Sequence, residues 1–194
     1  MIGNAVGAPF AVLVAEELFA AGCGLVVSVT SAGQLDPHRT LPRTILVDRA
    51  LRGEGTSSAY LPPDRFVAGD VALLTSVARA LARSGIDTIR GATWTTDAPF
   101  RETRTAISAA VAAGVHAVEM EVAGLYAFAR ARRRPVVCFA LVTNQLAQTG
   151  DDFEKGPDNG ARHALALAAG AARGWRSLNG DPSRDSGIDN EEGV

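Results

Sequence analysis

Lysine is almost missing from this sequence: of 19 Lys and Arg residues, only Lys155 is a lysine. Neither sign of charge is in excess. The 19 basic residues against 21 acidic ones leave a net charge of −2, whereas a chain built to hold nucleic acid through its phosphates carries a clear basic surplus. A nucleic-acid partner is therefore not expected. Cysteine is scarce, and Cys23 and Cys138 both sit in apolar runs. They read as small core residues, not as a disulfide framework or metal site. The three histidines, His38, His116 and His163, are scattered without ligand spacing, so no metal is expected. Long hydrophobic runs are also missing. The most apolar stretch, Phe10 to Ala21, is interrupted by Glu16 and Glu17 and is too short to span a bilayer. The first basic residue is Arg39, so the positive segment that opens an export signal is not there. No membrane partner is expected, and the cytoplasm is the expected compartment.

What is present has globular composition. Apolar residues make up 47% and charged residues 21% of 194 residues, which fits one ordinary domain. That domain is expected over residues 1–176. Residues 177–194 turn polar, with Gly, Pro, Ser and acidic residues, and are expected to form a disordered tail.

Strand-like and helix-like segments alternate. Ala8 to Ala21 is apolar nearly all round, with Pro9 suited to a first helical turn and Gly22 to a stop, and reads as a buried helix. Gly24–Thr30 and Thr44–Ala50 are β-branched runs that read as buried strands. Leu51–Gly69 is a Gly-, Ser- and Pro-rich connection with no period. Such a stretch is either a functional loop or a tolerated surface insertion. Asp70–Ser84 is an amphipathic helix, capped by Asp70 and ended by Gly85, with Val71, Leu74, Val77 and Leu81 on one face. Thr88–Thr95 reads as a strand, Glu102–Ala113 as a helix, Val115–Met120 as a strand and Glu121–Arg132 as a helix. Pro135–Val142 reads as a strand and Asn159–Trp175 as an Ala-rich helix. This alternation predicts an α/β fold with a largely parallel sheet. Ligands of such sheets bind beyond the carboxyl ends of the strands.

Four segments lie there. Thr30–Gly33 (TSAG) combines hydroxyls with a glycine, so that backbone N–H groups could approach an anion; it could equally be a tight turn. Thr95–Thr103 (TTDAPFRET) crowds hydroxyls, a carboxylate, a ring and an Arg-Glu pair together. Phe100 either stacks on a flat ligand or tucks into the core behind a helix start capped by Asp97 or Thr95. In Glu119–Tyr126 (EMEVAGLY), Glu121 could accept both protons of a vicinal diol or simply complement a helix dipole. Glu119 lies in an otherwise apolar strand and needs a partner. In Val142–Leu146, the Asn144 amide could read a ring nitrogen and carbonyl or serve a turn.

In this order the segments resemble the nucleoside phosphorylase superfamily, which includes purine nucleoside and uridine phosphorylases and related nucleosidases. The resemblance runs from about Gly3 to Trp175. It is carried by VEMEVAGLYAFA (Val118–Ala129), whose Met-Glu pair before a helix is the family's ribose-binding signature, by TTDAPFRET, and by RALRGEGTSSAYLPP (Arg49–Pro63). GNAVGAP and SVTSAGQL are weaker matches in the right order.

The resemblance implies a mixed, largely parallel central sheet flanked by helices in three layers. It also implies missing N-terminal strands. The family places several strands and a glycine loop ahead of the segment equivalent to Met1–Pro9, so apolar helix faces such as Phe10–Ala21 would lie uncovered. The implied reaction is cleavage of a ribonucleoside N-glycosidic bond by phosphate, giving free base and ribose 1-phosphate. Inorganic phosphate is the co-substrate and no cofactor is called for. Glu121 would bind the ribose 2′- and 3′-hydroxyls, Met120 would pack on the sugar, and Glu119 would support the site. Phe100 would lie against the base. Ser31 and the Thr30 backbone would contact phosphate. Asn144 stands where many members have a proton-delivering Asp, and is the candidate catalytic residue. Arg101 and Arg104 fall near where uridine phosphorylases read the pyrimidine. Many phosphorylases carry an Arg where this chain has Ser28, and the nucleosidases lack that Arg too. Hydrolysis by water, or a non-catalytic truncated paralogue, are the alternatives. Family members are usually homo-oligomers, so a homo-oligomer is expected.

Overall fold

β-Branched runs separated by helices give six strands in one sheet among the described residues. The computed structural model describes residues 1–35, 43–145 and 160–180, with the backbone alone at 43 and 143–145. In chain order the strands are β1 (Val26–Gln34), β2 (Arg43–Gly53), β3 (Phe66–Ala68), β4 (Ile89–Thr96), β5 (Val115–Glu119) and β6 (Val136–Gln145). Their lateral order is β3-β2-β4-β5-β1-β6. The pairings β2–β4, β4–β5 and β1–β6 are parallel, and β2–β3 and β1–β5 are antiparallel. The start of β2 also pairs antiparallel with β6, Thr44 against Leu141 and Leu46 against Phe139. The sheet therefore curls back on itself. It is mixed and largely parallel, as the sequence predicts.

Among the described residues six α-helices flank it: α1 (Ala8–Ala20), α2 (Ser57–Tyr60), α3 (Val71–Arg83), α4 (Arg104–Ala112), α5 (Val122–Arg132) and α6 (Ala161–Leu178). The two-residue period of the strands decides which helix each side chain meets. Ile45, Val47, Cys138 and Ala140 pack with α1 and α5. Their neighbours Leu46, Val137 and Phe139 pack with α3 and α6. Ala92, Val115 and Val118 pack against Ala110 of α4. Each buried Val, Leu or Phe in these clusters is worth about 1.5–3 kcal/mol. Helix α5 is the central one, buried throughout Val122–Phe128. Gly124 makes its contact with α1 possible, because a Cβ there would stand 2.8 Å from the Cβ of Ala8. No helix among the described residues is long and apolar enough to cross a membrane.

Several expectations need correction. Helix α1 is not buried all round: Ala8, Ala11, Val12, Ala15 and Phe19 face the core, while Phe10 and Leu13 are 46% and 57% exposed. The buried face of α1 packs on α5. Val71 is exposed at the start of α3 and takes no part in its apolar face, which is formed by Leu73, Leu74, Val77, Ala80 and Leu81. Asp70 caps that helix as expected, accepting from Leu73 N–H at 2.8 Å. The TSAG segment is not a turn; β1 continues through it, paired with β6 as far as Gln34 against Gln145, with a bulge between Ala32 and Gly33. The connection Leu51–Gly69 is not structureless. It contains α2 and β3 and is gathered by Arg52, which donates to Ser57 Oγ and to the carbonyls of Leu61 and Pro62. Helix α4 is capped by Thr103, which accepts from Ala106 N–H, and not by Asp97 or Thr95. A single 3-10 turn at Pro99–Arg101 separates those two residues from the helix. Helix α6 continues to Leu178, past the expected domain boundary at 176. The rest of the expected tail, 181–194, lies outside the described residues.

Candidate active site

The strand-end carboxylates Glu119 and Glu121 are both buried, at 3% and 5% exposure, and they have different surroundings. Glu119 closes β5. Its Oε1 accepts from the hydroxyls of Thr93 and Thr95 at 3.0 and 2.5 Å. Its Oε2 accepts from the backbone N–H groups of Glu121 and Val122 at 2.7 and 2.8 Å. Those N–H groups open α5, so Glu119 satisfies donors that a helix start leaves unpaired. Thr95 Oγ1 in turn accepts from Ala123 N–H at 2.9 Å. Burial pushes the Glu119 carboxyl up to about 7, against the pull of its donated hydrogen bonds and with a smaller push from Glu121. Glu119 is thus committed to holding β4, β5 and the start of α5 together.

Glu121 stands at the N-cap position of α5. Its carboxylate reaches across the fold instead of capping its own helix. Oε1 accepts from Gly7 N–H at 2.7 Å, and Oε2 accepts from the Thr30 hydroxyl at 2.6 Å. Gly7 precedes α1 with φ +87°, a conformation open to glycine at little steric cost. The Gly7 contact is possible because Gly124 lets α1 lie close on α5. One lone pair on each oxygen is used by the protein, and a carboxylate has about four acceptor positions. The remaining ones can take two hydroxyl protons.

The other expected site residues are placed unevenly. Thr30 is brought to Glu121, by its side chain and not only its backbone. Ser31 follows it in β1 and is exposed. Met120 is half-buried between the two glutamates. Phe100 is fully exposed, so it does not tuck into the core. Arg101 and Arg104 are exposed on the same excursion after β4. That excursion is tied back by Asp97, which accepts from Gly55 N–H at 2.9 Å. The Asn144 backbone pairs with Gly33, two residues beyond Ser31 in β1; its side chain lies outside the described part. Ser28 is half-buried, opposite Cys138.

Gly7 and Thr93 are not picked out by sequence reasoning. Gly7 lies 114 residues from its partner and acts through a backbone N–H, which leaves no mark on residue type. Thr93 and Thr95 do leave a signal, two hydroxyls at the two-residue spacing that places both on one face of a strand. Among the described residues no group of three or more His, Cys, Asp or Glu is placed to hold a metal ion. A cavity of about 740 Å³ opens at the far end of α5, bounded by Asp70, Tyr126, Arg130, Arg133 and Trp175. Neither glutamate lines it.

Two buried glutamates thus bracket the start of α5, one bonded to β4 and its own helix start and the other to Gly7 and Thr30. The sequence profile of the phosphorylase superfamily matches residues 1–174, and the chain belongs to that superfamily. Among solved structures, it is similar to an AMP nucleosidase from Bacteroides thetaiotaomicron, with a TM-score of 0.73 at 23% identity over 90% of this chain and 70% of that one. At that identity the likeness speaks for the fold. No curated protein matches the sequence significantly.

Proposed function

We propose that the protein cleaves the N-glycosidic bond of a ribonucleoside with inorganic phosphate as acceptor, giving free base and ribose 1-phosphate. The observation that carries this reading is the Glu121 carboxylate: buried, fixed from two sides, and left with one free acceptor position on each oxygen. A vicinal diol fits that arrangement. Cleavage builds positive charge on the sugar and negative charge on the base. The Glu121 charge stabilises the first, and phosphate beside Thr30 and Ser31 adds to it and attacks the anomeric carbon. Asn144 donates a hydrogen bond to the departing base, and Phe100 stacks against it, with Arg101 and Arg104 at the outer edge. Met120 packs on the sugar. No cofactor takes part. The exposed apolar residues Ile2, Val6, Phe10 and Leu13 support a homo-oligomer.

Ser28 supports a second reading, hydrolysis by water, because an arginine there would bind phosphate; the similar solved structure is also a nucleosidase by name. Incubation with adenosine, inosine, guanosine and uridine, with and without phosphate, separates the two. Base released only with phosphate supports phosphorolysis, and base released without it supports hydrolysis. No release from any nucleoside overturns both.

A further inference from the structure

The Thr30 hydroxyl has a role at Glu121 that neither the fold nor a phosphate contact calls for. It donates to Glu121 Oε2 at 2.6 Å. Its other acceptor, the Ser31 carbonyl, stands at 3.3 Å, so the carboxylate is its principal partner. Strand pairing sets Thr30 opposite Ala140 of β6, and a β-branched side chain has few rotamers to choose from. The donor is thus held in place before any ligand arrives. Gly7 N–H does the same for Oε1, and the two donors approach from different elements, β1 and the start of α1. Together they fix both the tilt and the rotation of the carboxylate.

A buried acceptor left without a donor is penalised heavily. For this reason sites that hydrogen-bond a ligand hydroxyl reject an analogue lacking it by about 10⁴–10⁵-fold. At Glu121 this penalty is reduced, because neither oxygen is ever without a protein donor. We propose that Thr30 is a positioning residue for Glu121: its hydroxyl orients the carboxylate and keeps Oε2 satisfied when the ligand brings no hydroxyl to it. This rests on the sugar-binding reading of Glu121.

The test compares the wild-type chain with Thr30→Val, which keeps the shape and removes the hydroxyl, and Thr30→Ser, which restores a donor. Circular dichroism checks folding, and Thr30→Ala replaces the valine variant should that fail to fold. Both kcat/KM with phosphate and dissociation constants by calorimetry are measured for adenosine, inosine and uridine and for their 2′-deoxy and 3′-deoxy counterparts. The expected result is a ribo-to-deoxy preference that widens by about tenfold or more in Thr30→Val for one of the two deoxy forms, and returns towards wild type in Thr30→Ser. Equal losses on ribo and deoxy compounds, no change in either, or no recovery with serine each overturn the inference while leaving the cleavage reading intact. Failure of the wild type to bind or cleave any ribonucleoside overturns the sugar-binding reading and the inference with it.

Discussion

The two sides of the candidate site are built in opposite ways. Glu119 and Glu121 are both buried and hydrogen-bonded on each carboxylate oxygen, through Thr93, Thr95, Gly7, Thr30 and the first turn of α5. The side chains of Phe100, Arg101 and Arg104 stand in solvent, and the Asp97–Gly55 bond ties their excursion back to the rest of the protein. On the proposed reading, the first side holds the sugar and the second meets the base. The difference teaches where precision is needed. The reacting anomeric carbon belongs to the sugar, and small displacements there are expensive, so rigidity is concentrated on that side. A base can be stacked by an adaptable ring.

The comparison breaks most decisively at Glu121. Glu121→Ala removes an acceptor for two charge-assisted hydrogen bonds, each worth about 1.5–3 kcal/mol, and is expected to lower kcat/KM by about 10²–10⁴-fold with the fold retained by circular dichroism. Wild-type turnover in that variant would take the sugar away from this carboxylate. Glu119→Ala should act on stability instead. It leaves four buried donors without their acceptor, and the unfolding free energy is expected to fall by about 3 kcal/mol or more in urea titration. A variant as stable as wild type would show that Glu119 is not the anchor of the rigid side.

Gly124→Ala tests how packing reaches the site. Its new Cβ would press on Ala8, so overpacking of about 1–3 kcal/mol is expected together with a raised KM, because Gly7 moves with α1. A stability loss with KM unchanged would separate α1 from the positioning of Glu121.

The raised Glu119 carboxyl sharpens the same contrast through pH. The folded state holds this proton more tightly than the unfolded chain, whose carboxyl keeps its usual value near 4.5. The stability it contributes is therefore complete below that value and is lost as pH rises through about 7. Thermal unfolding of wild type should show this decline between the two values, and Glu119→Gln should flatten it. An unaltered slope in the glutamine variant would assign the decline to another group. The smallest effect is expected on the open side. Phe100→Ala should leave stability within about 0.5 kcal/mol and raise KM by about two- to tenfold, the worth of one ring contact. A large stability loss would mean that the ring is not free.

Much of this was legible along the chain. Glu119 stood out because a carboxylate in an apolar strand needs partners, and Thr93 and Thr95 supply them. Helix α3 was readable to its cap because Asp70 bonds within its own turn. Helix α1 is apolar nearly all round in sequence, yet it is open on the side of Phe10 and Leu13, whereas α5, which carries Arg130 and Arg132, is enclosed over Val122–Phe128. Burial depends on what packs against a helix, and composition does not report that. TSAG is open between an anion-binding segment and a tight turn in sequence, because the pairing that extends β1 through it comes from β6, more than a hundred residues away.

The sequence alone determined the order of the strands and helices other than α2 and β3, the lack of a charge surplus, and the presence of two glutamates at one strand end. These follow from local periodicity and residue chemistry. Only the tertiary structure decided that the two glutamates do different work. Glu119 is satisfied by neighbours in β4 and by the helix it precedes, whereas Glu121 is held by Gly7 and Thr30 from distant parts of the chain. Hydrogen bonds between residues 91 and 114 positions apart exist only once the sheet has curled and α1 has settled on α5. The free acceptor positions of Glu121 are thus a product of packing.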